Sequence, residues 1–182
     1  MRTAALALLL FSFGFMPAAG AADIDRPLIL VAAPELHDPL YGASVLVVTP
    51  LGGDEHVGFI VNRPTSFNLG KAAPIYLGGP VEPELVFALV QRKNSPGGKS
   101  IRIAPGLYAA HDGAVLDGII KSDPQHARFM AGFVAWKAGE LREEIKRGAW
   151  YMLEPDAALV MRKPEGLWEE LVRRSQRIRN TI

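Results

Sequence analysis

Four histidines are the side chains of this sequence best suited to proton transfer or metal binding: His37, His56, His111 and His126. Their spacing places no two of them on one face of a helix, and the zinc-binding pattern His-Glu-x-x-His does not occur. His37-Asp38 and His111-Asp112 lie in segments with the composition of loops, where such residues are ordinary exposed turn residues. Catalysis by these loop residues, in a hydrolase or transferase, is the alternative interpretation.

Motifs for phosphate binding and for nucleophilic catalysis are incomplete. Gly98-Lys99-Ser100 resembles the end of a phosphate-binding loop, but Lys93 stands where that pattern requires its first glycine. The nucleophile motif Gly-x-Ser-x-Gly does not occur. The chain contains no cysteine, which excludes a cysteine nucleophile and a zinc–thiolate site. We therefore assign no catalytic residue, no metal ligand and no cofactor from the sequence.

An acidic cluster lies on the most clearly predicted helix, residues 138–147. Glu140 and Glu144 are four residues apart, a spacing at which like charges on a helix repel weakly. Lys137 or Arg142 could relieve that repulsion, and so could a bound cation such as Ca²⁺ or Mg²⁺. Negative charge near a helix N-terminus is also favourable by itself, so the cluster does not require a ligand.

Four arginines make the last predicted helix basic: Arg173, Arg174, Arg177 and Arg179. Glu169 and Glu170 lie beside them, which favours a solvated helix face. Weak contact with anionic lipid headgroups or with an acidic partner is the alternative.

Short apolar runs interrupted by turn residues predict seven strands in the first part of the chain: 28–33, 43–49, 57–61, 74–77, 84–91, 101–103 and 107–110. Pro50-Leu51-Gly52-Gly53-Asp54 predicts the turn of an antiparallel hairpin between the second and third of them.

The second part of the chain predicts helices mixed with short strands. Asp123-Pro124 is typical of a helix start and predicts a helix over 124–131, with Gly132 ending it. Further strands are predicted at 133–136, 150–153 and 157–161, and a last helix begins at Pro164. Strands first and helices later predict an α+β fold with a largely antiparallel sheet.

The first 22 residues have the composition of a cleaved export signal. Arg2 precedes an apolar run from Ala4 to Phe15, which is shorter than the ~20 residues that span a bilayer, and small residues follow. We expect cleavage after Ala21 or Ala22 and a periplasmic or secreted protein of residues 23–182 that forms a single domain. An uncleaved anchor or a buried strand is the alternative. No cysteine follows the cleavage site, which excludes a lipoprotein anchor.

Removal of the signal would make the protein formally neutral. The full chain has 20 basic and 19 acidic side chains, and Arg2 is the only charged residue that would be lost. A neutral protein has no general attraction for nucleic acid or for anionic lipid. We therefore expect no nucleic-acid partner, and no transmembrane segment after cleavage.

Four segments in series resemble the YqgE/AlgH family: 30–39 (LVAAPELHDP), 58–64 (GFIVNRP), 77–82 (LGGPVE) and the block 132–150. The resemblance implies a bent, barrel-like sheet with several short helices packed against it. It implies no known enzymatic activity, and one branch of the family has been named as a transcriptional regulator. This chain departs from the family in its export signal, and in Glu140, where a glutamine is usual. It departs again at Leu85-Val86-Phe87-Ala88-Leu89, where an arginine, a glycine and a histidine are usual.

These observations together predict a non-enzymatic exported module that binds an envelope protein or a small molecule. The candidate ligand-binding residues are Asn62, Arg63, Gly78, Gly79, Pro80, Glu140 and Glu144. Regulation of transcription, the remaining alternative, requires a protein that reaches the chromosome.

Overall fold

A computed structural model describes residues 23–69 and 73–180 of the chain. The predicted export signal and its cleavage site lie outside the described residues. Ten strands are described: β1 (Leu28–Ala32), β2 (Val45–Gly52), β3 (Glu55–Ile60), β4 (Pro64–Leu69), β5 (Ala73–Leu77), β6 (Val81–Gln91), β7 (Ile101–Ala104), β8 (Leu107–Ala110), β9 (Ala127–Trp136) and β10 (Trp150–Leu153). The four described α-helices are α1 (Gly113–Ser122), α2 (Glu140–Lys146), α3 (Ala157–Val160) and α4 (Leu167–Arg179).

The strands form one curled, mostly antiparallel sheet with the order β10-β1-β2-β3-β9-β6-β8-β7. β5 pairs in parallel with the first half of β9, and β4 pairs with β5. The last strand of the series, β7, returns close to β2 without pairing to it, so the curl is an open half-barrel. The predicted α+β class and bent sheet are confirmed.

Alternating side chains of the central strands enter two different cores, because successive residues of a strand point to opposite faces. Ile29 and Val31 of β1 face the inside of the curl, where residues of α3 and α4 close the core. Leu28 and Leu30 face the outside, where Trp136 of β9 and other apolar residues cover them. Burial on both faces explains why β1 is a continuous apolar run in the sequence.

The predicted helix over 124–131 is wrong. Asp123-Pro124 begins only a single 3₁₀ turn, Pro124–His126, and the chain then enters β9. β9 pairs with β6 on one side and with β5 and β3 on the other, so its backbone hydrogen bonds lie within the sheet. Gly132 ends no helix; it lies inside β9 with a φ of +67°.

A second correction concerns the predicted strand at 157–161. Residues Ala157–Val160 form α3, which Asp156 begins by accepting a hydrogen bond from the N–H of Ala158 at 2.9 Å. Local patterns in the sequence did not predict α1 or β4. The predicted helix at 138–147 and the last helix are confirmed as α2 and α4, with α4 packing on β1 and β10.

No helix among residues 23–69 and 73–180 combines the length and the apolar character that crossing a membrane requires.

Candidate functional site

Asn62 and Arg63 follow β3 and hold the loop that comes after β1. The Asn62 side chain accepts a hydrogen bond from the N–H of Val45 at 2.8 Å. The Arg63 guanidinium donates to the carbonyl oxygens of Pro39 and Gly42. These bonds fix the loop against the end of β3, so both side chains have a positioning role that needs no ligand.

The loop held in this way forms one wall of a cleft of about 450 Å³, named here the Glu144 cleft. Its lining residues are Glu35, Leu36, Asp38, Tyr41, Glu144, Arg147, Gly148, Ala149 and Trp150. The cleft thus combines three carboxylates, one arginine and two aromatic rings.

Glu144 is fixed by two tryptophans. Its Oε2 accepts hydrogen bonds from Nε1 of Trp136 at 3.0 Å and from Nε1 of Trp150 at 2.7 Å. Its Oε1 has no hydrogen-bond partner among the described residues. Glu140 lies apart from it and accepts a hydrogen bond from the N–H of Lys137 at 2.8 Å. Because each carboxylate has its own donors, the pair does not need a shared cation, and cation binding stays a prediction.

Tyr41 and Asp38 complete the polar part of the Glu144 cleft. The Tyr41 ring packs edge-on against Trp150, with 6.1 Å between ring centroids. Burial, and to a smaller extent the negative charges of Glu144 and Asp38, raise the pKa of Tyr41, so its hydroxyl stays protonated at neutral pH. Asp38 accepts hydrogen bonds from the N–H groups of Leu40 and Tyr41, both at 2.8 Å, and so belongs to the turn.

Gly78 and Gly79 lie where the chain between β5 and β6 crosses β9. A Cβ on Gly78 would lie 2.2 Å from the carbonyl oxygen of Gly132, and one on Gly79 would lie 2.2 Å from the backbone of Phe133. Only glycine permits this approach. Pro80 follows them and is exposed. None of the three residues lines the Glu144 cleft, and the two glycines lie against the backbone of β9 at Gly132 and Phe133.

Phe133 belongs to a second cavity, at the open side of the half-barrel. This cavity of about 300 Å³, named here the apolar hollow, is lined by Leu51, Val57, Phe59, Glu82, Leu85, Phe87, Lys99, Ile101, Ala109, His111 and Phe133. Its floor is aromatic, because the Phe87 ring is met edge-on by Phe59, Phe133 and His111 at centroid distances of 5.2, 5.8 and 5.6 Å.

The rim of the apolar hollow is exposed and contains both apolar and charged side chains. Leu51, at the tip of the β2–β3 hairpin, is 60% exposed, and Ile101, at the start of β7, is 42% exposed. Glu82 and Lys99 are the charged residues of the rim. Glu82 has a φ of +48°, a backbone conformation that is uncommon for a residue with a side chain.

No histidine among the described residues is hydrogen-bonded to a hydroxyl group: His126 pairs with Asp123 at 2.5 Å, and the buried His56 contacts the carbonyl oxygen of Ile24 at 2.9 Å. His37 is exposed, and His111 packs on Phe87; neither ring makes a hydrogen bond to another described residue. Within residues 23–69 and 73–180 there is also no group of three or more metal-ligating side chains arranged to hold an ion.

The apolar hollow is missing from the sequence-based candidates. Its residues come from six strands and two loops, and no local spacing connects them. Two features of the sequence could have indicated the hollow. Leu85 and Phe87 belong to the segment in which the chain departs from the YqgE/AlgH pattern, and both line the hollow. Leu51, an apolar residue at the tip of a predicted turn, was a second signal.

The chain is similar in sequence to known proteins over most of its length. A family model described as AlgH-like matches residues 29–178. A UPF0301 protein of Chlorobium luteolum is 32% identical over 159 residues, which covers 80% of this chain and 82% of that protein. A UPF0301 protein of Streptomyces avermitilis is 28% identical over 167 residues, with 81% and 85% covered.

Two solved structures are similar in fold. The solution structure of the AlgH protein from Pseudomonas aeruginosa superimposes with a TM-score of 0.72 at 21% identity, covering 87% of this chain and 92% of that one. The crystal structure of a protein from Corynebacterium diphtheriae gives a TM-score of 0.68 at 23% identity, covering 82% and 86%.

Proposed function

Because the chain belongs to the AlgH-like family, we propose that it is an exported, non-enzymatic module that binds an envelope component in the apolar hollow. The observation that carries this proposal is the hollow itself. It is an open, mostly apolar cavity with an aromatic floor and a few polar groups at its rim, the usual composition of a small-molecule site at the mouth of a barrel.

Exposed apolar side chains at the rim support binding over catalysis. Leu51 and Ile101 lie beside a cavity, where apolar surface can be removed from water by a ligand. Hydrolase or transferase chemistry would require a nucleophile and a base within hydrogen-bond reach of each other. His111 lines the hollow, but it packs on Phe87 and has no such partner among the described residues.

Export is the second part of the proposal, and it rests on the amino-acid sequence of residues 1–22. An exported protein does not meet the chromosome, so the proposal excludes regulation of transcription by direct DNA contact. Mass spectrometry of the amino terminus in fractionated native cells tests export. The expected result is a chain that begins at Ala22 or Asp23 in the periplasmic or secreted fraction. An intact Met1 terminus on soluble intracellular protein would contradict it.

Binding in the hollow is tested with a neutral, environment-sensitive dye. We expect saturable fluorescence enhancement with the wild-type protein, and roughly tenfold weaker binding when Leu51→Ser and Ile101→Ser are combined, because two apolar rim contacts are lost. Phe67→Ser is the matched control, since Phe67 is 71% exposed and does not line the hollow. Equal loss in the control, or no saturable binding by the wild type, would contradict the proposed site.

A further inference from the structure

Two side chains of opposite charge line the apolar hollow. Glu82 and Lys99 both line it and both are exposed. They form no ion pair with each other, and neither side chain has a hydrogen bond or an ion pair with another described residue. The walls below them are apolar, with polar atoms contributing little of the lining.

From this arrangement, and resting on the proposed binding function, we infer that the hollow binds a small zwitterion with an apolar body, the chemistry of a short apolar peptide with free termini. The ligand ammonium would face Glu82, its carboxylate would face Lys99, and its apolar side chains would contact Phe87 and the surrounding walls. Each ligand charge then meets the opposite charge of the protein.

The size and the floor of the hollow are consistent with such a ligand. A volume of about 300 Å³ is at the small end of ligand cavities. The ring of Phe87, met edge-on by Phe59 and Phe133, leaves an aromatic floor on which an apolar or aromatic side chain can pack. Glu82, which lines the hollow, has a φ of +48°, and backbone strain of this kind often accompanies binding sites.

A purely anionic amphiphile, such as a fatty acid, fits this rim less well. Lys99 would attract its carboxylate, but the Glu82 carboxylate on the same rim would repel it. Glu82 would attract a purely cationic amphiphile, but the positive charge of Lys99 would repel it. A ligand that carries both charges uses both residues.

Isothermal titration calorimetry of the protein as cells produce it tests the inference with four forms of one dipeptide. The forms are Leu-Phe with free termini, its N-acetyl derivative, its C-terminal amide and the doubly blocked derivative; decanoate is the anionic comparison. Removal of either terminal charge is expected to weaken binding roughly threefold or more, the effect of one exposed ion pair. Decanoate is expected to bind more weakly than Leu-Phe.

Two substitutions test which protein residue contacts each terminal charge of the peptide. Lys99→Met should weaken binding of Leu-Phe but leave binding of its amide unchanged, and Glu82→Gln should weaken binding of Leu-Phe but leave binding of its N-acetyl form unchanged. Lys93→Met and Glu84→Gln are the matched controls, because both residues are exposed and neither lines the hollow. All four changed side chains are exposed, so the melting temperatures should stay close to that of the wild type.

The outcomes separate the inference from the function on which it rests. If the doubly blocked peptide binds as tightly as Leu-Phe, or if decanoate binds and Leu-Phe does not, the zwitterion is wrong and the hollow remains a binding site. If neither the peptides nor the neutral dye binds, the proposed function fails as well.

Discussion

Glu144 differs from the neighbouring glutamates of α2 in what its carboxylate contacts. One of its oxygens accepts from the indole N–H groups of two tryptophans, and both tryptophans are only 5% exposed. Glu143, by contrast, pairs with Lys146 in a bridge whose two side chains are more than 60% exposed. Glu144 therefore stabilises the fold through buried donors, whereas Glu143 contributes little.

Substitutions at Glu144 test whether its hydrogen bonds with the two tryptophans stabilise the fold. Glu144→Ala leaves two buried indole N–H groups without an acceptor and should lower the free energy of unfolding by about 2 kcal/mol. Glu144→Gln keeps an acceptor oxygen and should lose roughly half of that or less. Urea unfolding followed by tryptophan fluorescence measures both.

Glu143→Ala is the control for the Glu144 variants, with an expected change of about 0.5 kcal/mol or less, because exposed ion pairs stabilise little. A loss in Glu143→Ala equal to that in Glu144→Ala would mean that the tryptophan contacts are not the cause.

At the level of elements, β9 shows how pairing overrides a local signal. Asp123-Pro124 favours a helix start, and the structure uses it for one turn only. From residue 127 onward the backbone pairs with strands on both sides. Side chains such as Phe129 and Met130 are then fully buried on opposite faces, which a surface helix could not achieve.

The β2–β3 hairpin is joined to α2 by an ion pair. Nη2 of Arg142 lies 2.9 Å from Oδ1 of Asp54. The hydrogen bond from Arg142 and its positive charge lower the pKa of the Asp54 carboxyl below its ordinary value. A carboxyl whose pKa is lower in the folded state adds stability above its unfolded-state pKa, and this contribution is lost as the pH falls through the folded-state pKa.

Asp54→Asn should therefore lower the melting temperature at pH 7, and the difference from the wild type should shrink as the pH falls below about 4. Asparagine tolerates the left-handed backbone of this position, φ +65°, so the turn is preserved. Calorimetric melting between pH 7 and pH 2 measures the effect.

Arg142→Gln should give the same pH profile as Asp54→Asn, and the double variant should be no less stable than either single variant. Additive losses would show that the two side chains act independently, and a difference that does not change with pH would exclude the ion pair as its source.

At the scale of the whole molecule, one crossing of backbones holds the half-barrel together. Gly132, with a φ of +67°, lies against the chain between β5 and β6, and a Cβ on it would be 2.5 Å from the carbonyl oxygen of Gly79 and 2.7 Å from that of Val81. This close crossing lets β9 pair with β5, β6 and β3 along its length and places Phe133 in the apolar hollow.

Gly132→Ala should lower the free energy of unfolding by roughly 3 kcal/mol or more, because both the backbone conformation and the space are unsuitable for a Cβ. Gly118→Ala is the control: Gly118 lies in α1, a Cβ there contacts nothing within 4 Å, and alanine should stabilise the helix by about 0.5–1 kcal/mol. Chemical denaturation compares the two variants, and a small loss in Gly132→Ala would mean that the crossing can relax.

Features that depend on local patterns could be predicted from the amino-acid sequence alone. Apolar runs between turn residues predicted β1, β2, β3, β8 and β10, the spacing over 138–147 predicted α2, and four motifs in series predicted the family and its bent sheet. These succeed because side-chain periodicity and turn chemistry act between near neighbours in the chain.

The three-dimensional fold was needed to establish the identity of β9 and α3, the partners of Asn62, Arg63 and Glu144, and the position of the apolar hollow. Each depends on residues far apart in sequence, such as Leu51, Phe87 and Phe133, which meet because the sheet curls. A local pattern cannot indicate which distant strand will pair with β9, since the free energy that stabilises the pairing comes from burial that exists only after the fold has formed.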